Sequence, residues 1–314
     1  MILTVTLNPS LDRRYFIQGF EKGKVYRAED VQYTPGGKGL NVAKVIRSFN
    51  EPVMATGFLG GRNGRHVEEM LDDMGIYHNF IPIKGETRSS LTILSDDGSP
   101  TEVLEESPSI SGEEVLELYK VYRELIRDSK IICASGSIPQ GLPTDIYRDL
   151  IIMANEQDKK FFLDTKGEAL KIGIEASPFL VKLNRDELEG LIGCMLTSQE
   201  DIIRGARYIL ENGVKIVIIP LRKAGYMVFY DGYFYKVKVP NIKMINSVGS
   251  EDSMMAGFVV SLLRNYDFEY LLKVAAACGI ANAMEAEAGK VDMHNMKKIM
   301  NDVDIEKIKI RSKF

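Results

Sequence analysis

The chain has 314 residues, enough for one large domain or two modest ones with a substantial core. A hydrophobic fraction of 45% with 27% charged residues is ordinary globular usage and excludes a disordered chain. Lys and Arg total 40 against 44 Asp and Glu, a net charge of −4 that argues against general nucleic-acid binding.

The opening MILTVTLNPSLD lacks the basic start and long apolar run of a secretory signal and alternates like a strand. No apolar stretch reaches membrane-spanning length, so a soluble, cytoplasmic protein with no membrane partner is expected. Strand patterns occupy Ile2–Leu7, Met54–Leu59, Ile131–Ser135, Lys160–Asp164, Phe179–Lys182 and Val214–Pro220. Amphipathic helical patterns alternate with them at Asn41–Ser48, Gly64–Met74, Ser111–Ser129, Asp145–Glu156, Ser198–Asn212, Asp252–Leu263 and Phe268–Ala283. That rhythm predicts an α/β fold with a mostly parallel central sheet and right-handed crossovers.

Two segments, Arg13–Tyr33 and Thr87–Leu104, break the rhythm with short alternating strands and turns. Neither could build its own core. Both are expected to form an antiparallel flap over the carboxyl ends of the strands, inserted in a single domain spanning 1–314. The charged tail Asp302–Phe314 is expected to fray. Cys133, Cys194 and Cys278 stand far apart among apolar neighbours, with no C-x-x-C. They read as buried small hydrophobes in a reducing compartment, not as a disulfide or zinc framework.

Two glycine motifs carry chemistry. In Pro35-Gly36-Gly37-Lys38-Gly39-Leu40-Asn41 the missing side chains let backbone approach a ligand, and a following helix offers amides to an anion. A tight strand–helix turn explains the same glycines, and the spacing is not that of a Walker A loop. In Asn246-Ser247-Val248-Gly249-Ser250-Glu251-Asp252 a Gly-Ser turn opens an apolar helix. The amides of Gly249, Ser250, Glu251 and Asp252 could cradle a transferring phosphoryl group, with Asp252 accepting a proton from an attacking hydroxyl. The bland alternative is that Ser250 or Asp252 merely caps the helix.

Together the motifs resemble the ribokinase-like (PfkB) carbohydrate kinases, in particular the 1-phosphofructokinase and tagatose-6-phosphate kinase branch. The resemblance rests on TVTLNPSLD, YTPGGKGLNVAKV, KGETRSSLTI, ASGSIPQGLP and NSVGSEDSMMAGF. It implies a three-layer α/β/α sandwich with a small β-sheet lid, and ATP-dependent phosphorylation of a ketohexose monophosphate to the bisphosphate. Tagatose 6-phosphate and fructose 1-phosphate are the implied substrates, ahead of fructose 6-phosphate. By the same resemblance Asp12 holds sugar hydroxyls, and Gly36, Gly37, Asn41 and Ser137 line the sugar pocket. Lys38 and Arg88 bind the substrate's own phosphate, with Arg27 assisting from the flap. Lys182 neutralises ATP phosphates, while Asn184 and Glu187 orient Mg²⁺ through water. Gly225, residues 239–242 and Asn282 are where adenine is expected, with Asn246 and Gly249 also on the nucleotide side. A homodimer through the lid is a further implication.

Three departures from the pattern stand out. Glu251 replaces a glycine inside the anion cradle, where an inward carboxylate would repel phosphate and a backbone shape that favours glycine would strain Glu. Pro220 and Arg222 stand in a segment that usually reads S-L-G-x-x-G, so Arg222 could bind a phosphate or pair with Glu251. Glu106 precedes Ser107-Pro108 where relatives carry a glycine before the proline. These departures keep a second class open, a sugar-phosphate-binding or regulatory protein without turnover. Retention of Asp252 weighs against it. A kinase of unphosphorylated sugars is a third reading, opposed by Lys38 and Arg88.

Overall fold

Continuous apolar runs become strands covered on both faces, and they set the frame of the molecule. In the computed structural model, which describes residues 1–28, 30–95, 100–221 and 225–310, these are β1 (Ile2–Thr6), β4 (Val53–Gly60), β9 (Ile131–Ser135), β10 (Lys160–Asp164), β11 (Leu180–Lys182) and β12 (Ile216–Pro220). Every residue of β1 and β9 is buried. The strands lie in the order β4-β1-β9-β10-β11-β12, all parallel, as the alternation with helices requires. Short β5 (Tyr77–His78) and β6 (Ile81–Ile83) pair with β4 at the far edge.

The other edge departs from expectation. Beyond β12 come β13 (Tyr226–Tyr230), β14 (Tyr233–Lys238) and β15 (Asp304–Lys309), all antiparallel. An Asp231-Gly232 turn joins β13 to β14, with φ of 50° and 76°, the hairpin geometry that this dipeptide favours. The tail expected to fray is therefore an edge strand over 304–309. Ile305 and Ile308 rest on the core, and Lys307 lies 4.5 Å over the Tyr233 ring. Its charges face solvent along an edge, a common defence against edge pairing.

Helices cover both faces. One layer holds α1 (Lys38–Ser48), α2 (Gly61–Asp73), α8 (Ser250–Leu263), α9 (Phe268–Ala283) and α10 (Met293–Ile299). The opposite layer holds α3 (Gly112–Leu125), α4 (Ile146–Asn155), α5 (Gly167–Glu175), α6 (Arg185–Ile192) and α7 (Gln199–Glu211). Cys133 and Cys278 are buried as expected, but Cys194 is exposed, because it follows the left-handed Gly193 that ends α6.

The two irregular segments build a separate four-stranded sheet from β2 (Ser10–Phe16), β3 (Asp30–Gly36), β7 (Ser89–Leu94) and β8 (Pro100–Leu104). Its order is β3-β2-β7-β8. The outer pairs are antiparallel, but β2 and β7 run parallel, so the flap is not purely antiparallel. Among the described residues no helix is long and apolar enough to cross a membrane.

Candidate active site

Two of the central strands end in charge. Asp164 closes β10 and Lys182 closes β11, so both arrive at the carboxyl edge where ligands of α/β sheets bind. They are almost wholly buried, and Lys182 Nζ lies 3.1 Å from Asp164 Oδ2. Lys38, from the first turn of α1, adds a second ammonium at 3.1 Å from Asp164 Oδ1. Burial alone would raise the Asp164 carboxyl, yet Lys182 and Lys38 hold it below the usual carboxylate range. Burial opposes charge on Lys182 too, but Asp164 and Glu251 raise its pKa above the ordinary lysine value. A buried pair of this kind is costly to break from one side.

The start of α8 lies beside this cluster. Its N-cap is Gly249, at φ +80°, and a Cβ there would meet Gly289 N at 2.8 Å. A side chain would be both strained and blocked at this position. No side chain caps the helix: Ser250 Oγ is buried without a partner, and Asp252 points elsewhere. The capping alternative therefore fails here, while it holds at α3, α6 and α7, each closed by a reciprocal capping box. The Ser250 amide donates to Ser247 O at 3.2 Å, and the mouth of the helix faces the cluster.

Asp252 is 5% exposed and accepts a 2.9 Å hydrogen bond from Asn41 Nδ2, which joins the two glycine motifs across 211 residues. Burial pushes its carboxyl up to about 6, with Asp164 adding to the rise and Lys38, Asn41 and Lys182 opposing it. A carboxylate poised near neutrality is suited to take a proton.

Glu251 is helical, so the backbone strain feared at this position is absent. Its side chain is half exposed and its carboxylate contacts Lys182 Nζ. The alternative partner, Arg222, lies outside the described residues.

On the lid side, Ser10 Oγ donates to Asp12 Oδ1 at 2.6 Å. A Cβ on Gly36 would fall 2.0 Å from that same oxygen, so the glycine makes room for the carboxylate. Burial raises the Asp12 pKa against the Ser10 hydrogen bond and the charges of Lys44 and Arg88. Arg88 Nε donates to Asn8 Oδ1 at 3.1 Å, and Asn8 Nδ2 donates to Ser137 Oγ at 3.1 Å, which brings Ser137 and Arg88 to one wall. Arg27 is exposed in the connection between β2 and β3. Gly37 is the N-cap of α1, again with no side-chain cap.

The nucleotide-side residues divide. Asn184 and Glu187 form the capping box of α6, using Asn184 Oδ1 and Glu187 Oε2 and leaving Glu187 Oε1 outside it. Gly225 follows β12 at φ +91°. Asn246 Nδ2 donates to Ala286 O at 3.0 Å and its Oδ1 accepts from Val248 N. Asn282 is fully buried, with Nδ2 donating to Glu287 O at 3.0 Å and Lys290 O at 3.1 Å. Both asparagines thus support turns around the mouth of α8.

Two members of the site were not anticipated. Asp164 ends the run Lys160–Asp164, and an acid closing an apolar strand is the signal that points to the carboxyl edge. Lys38, expected at the substrate's own phosphate, is paired with this acid. Lys44, buried on α1 one turn after Asn41, read only as a polar position of an amphipathic helix.

Residues 6–293 match the pfkB family carbohydrate kinase. A tagatose-6-phosphate kinase from Staphylococcus epidermidis is 37% identical over 308 residues, 97% of this chain and 99% of that protein. A possible 1-phosphofructokinase from Thermotoga maritima superposes with a TM-score of 0.90 at 26% identity, covering 98% of this chain and 99% of that one. The phosphofructokinase-2 from Escherichia coli in complex with fructose-6-phosphate gives 0.87 at 26% identity, covering 96% and 98%. With a match that spans both glycine motifs and relatives alike along nearly the whole length, this chain belongs to the pfkB family of carbohydrate kinases and has its ribokinase-like fold.

Proposed function

We propose that the protein is a soluble, cytoplasmic kinase that transfers the γ-phosphoryl of ATP to a primary hydroxyl of a ketohexose monophosphate. Tagatose 6-phosphate is the first-choice acceptor and fructose 1-phosphate the second. The observation that carries this reading is the buried Asp252, raised to about 6 and fixed by Asn41 at the mouth of an uncapped helix.

Asp252 accepts the proton of the attacking hydroxyl. The first amides of α8, with Lys182 and Lys38 beside them, stabilise charge on the transferring group. Asp12, Asn41 and Gly36 orient the sugar, while Arg88 and Arg27 hold the phosphate it already bears. Gly225, residues 239–242, Asn246 and Asn282 frame the nucleotide. Magnesium fits this arrangement: Glu187 keeps one carboxylate oxygen outside its capping box, and Glu187 with Asn184 would hold the ion through water, where it neutralises phosphate charge. The lid, built of β2, β3, β7 and β8, closes over a single domain and excludes water; residues 29 and 96–99 of its expected segments 13–33 and 87–104 lie outside the described residues.

Arg88→Met tests the phosphate pocket. It should raise KM for the sugar phosphate about a hundredfold with kcat changed less than about fivefold, because a charge-assisted contact to a non-reacting phosphate is uniform binding. An unchanged KM would remove Arg88 from the pocket.

A homodimer through the lid is part of this reading. Val31 and Tyr33 on β3, Phe16 on β2, and Val103 and Leu104 on β8 are exposed, and β3 and β8 are edge strands. Sedimentation at the mass of one chain at micromolar concentration would exclude it.

One observation favours a second reading, a sugar-phosphate-binding protein without turnover. Glu251 already occupies the ammonium that ATP phosphates need.

A further inference from the structure

The turn between α9 and α10 gathers more side chains than its length suggests. Four of its carbonyls are taken by side chains, two by Asn282 at the end of α9 and two by residues from other parts of the molecule. Arg14 of the lid and Asn246 both donate to Ala286 O, and Asn282 donates to Glu287 O and Lys290 O. Lys44 of α1 donates to Ala288 O at 2.6 Å, with Glu287 Oε1 at 3.8 Å. Lys44 is 7% exposed, so this ammonium has left water for a single carbonyl and a neighbouring carboxylate. A buried lysine is an expensive way to hold a turn, and a neutral residue would fill the space at lower cost.

The turn supports the anion cradle directly. The Cβ position of Gly249 lies 2.8 Å from Gly289 N and 3.0 Å from Ala288 Cβ, so residues 288 and 289 form the floor under the mouth of α8. On its other side, the Cβ position of Gly289 lies 2.6 Å from Lys44 Cε and 2.9 Å from Asn41 Cα. Lys44, the turn and Gly249 are therefore stacked in contact, one helical turn from the Asn41 that holds Asp252.

We propose that Lys44 is a positioning residue for phosphoryl transfer: its buried ammonium clamps the 286–290 turn to α1 and so fixes Gly249 and the first amides of α8 relative to Asp252. The clamp also brings positive charge toward the two acids of the sugar site. Asp12, Asp252 and Glu287 all act on Lys44, opposing the fall in its pKa that burial causes. Asp252 in turn faces Lys38, Asp164, Asn41 and Lys182 as well as Lys44. The proposal rests on the kinase reading only for its kinetic arm.

Lys44→Met keeps the length of the side chain and removes its charge and donor. It should lower kcat by about 10- to 100-fold, with sugar-phosphate KM changed less than about threefold, because misplaced cradle amides matter most in the transition state. The acid limb of kcat should move up by about half a pH unit as Asp252 loses a nearby cation. Lys44→Arg should recover part of the rate. Lys44 lines an open surface hollow of about 370 Å³ with Arg47, Ser48 and Glu287, and a small amine can reach it from solvent. Ethylammonium should therefore restore Lys44→Ala about tenfold, in proportion to its concentration.

Hydrogen exchange provides a readout that needs no activity. In Lys44→Met the amides of 249–252 and 286–290 should exchange at least about tenfold faster, with the rest of the sheet unchanged. A folded Lys44→Met with normal kcat, normal pH profile and unchanged exchange at 249–252 would overturn the proposal. So would a Lys44→Ala protein that ethylammonium leaves inactive while its exchange stays normal. If the unmodified protein shows no turnover, the kinase reading fails, and the exchange comparison alone decides the clamp.

Discussion

Asp252→Asn should lower kcat by about 10³- to 10⁴-fold with little change in KM for either substrate, since only proton acceptance is removed. Asn fits the same space and can still meet Asn41, so the loss does not come from a collapsed pocket. In the unmodified enzyme, kcat/KM should fall as pH drops through about 6, where the buried carboxylate takes up its proton. The same residue has a measurable effect on stability. Its folded pKa lies above the ordinary carboxylate value, so the folded chain binds a proton that the unfolded chain has already released. The contribution of Asp252 to stability therefore declines as pH rises between about 4 and 6, and is level above that window. Asp252→Asn should be more stable by about 1–3 kcal/mol at pH 8, an advantage that vanishes near pH 4. More than a tenth of normal kcat in this variant would remove Asp252 from the role of base.

The second large effect concerns Glu251. Its carboxylate contacts the ammonium of Lys182, to which the proposed function assigns a phosphate of the nucleotide. On that proposal ATP would bind by displacing an internal anion and would lose part of its affinity to the exchange. Glu251→Gln keeps the shape and the helix and removes the charge. Its KM for ATP should fall about tenfold, which corresponds to about 1.4 kcal/mol, a modest figure because Glu251 is half exposed and screened. The reverse outcome has a clear meaning. Weaker ATP binding in Glu251→Gln would show that the carboxylate assists the nucleotide, for example by orienting Lys182.

The site shows why some of this was legible in the residues and some was not. Asp252 and Asn41 belong to the two glycine motifs, whose convergence could be expected once both were recognised. Lys182 was placed at the site only by the family resemblance, because its own run reads as a helix start with a charged face. The parallel strands were legible because burial on both faces forces continuous apolar runs such as Ile131–Ser135. Asp164 was not, because its meaning depends on partners 126 and 18 residues away that only the sheet order brings together. An acid at the end of an apolar run otherwise reads as the chain leaving the core. Lys44 was hidden for a similar reason, since a lysine on an amphipathic helix suggests solvent until the 286–290 turn is laid over it. The hairpin of β13 and β14 carried an Asp-Gly turn signal, but its tyrosine-rich flanks lack the long aliphatic runs that marked the other strands.

The measurement that bears most directly on this account is ADP release from MgATP with tagatose 6-phosphate, fructose 1-phosphate and fructose 6-phosphate, each against an Asp252→Asn control. Turnover is expected on at least one of the first two, with tagatose 6-phosphate the faster, and at least about a thousandfold slower in the control. Silence on all three, with sugar phosphate still binding by calorimetry, would contradict it and establish a binding protein built on a kinase fold.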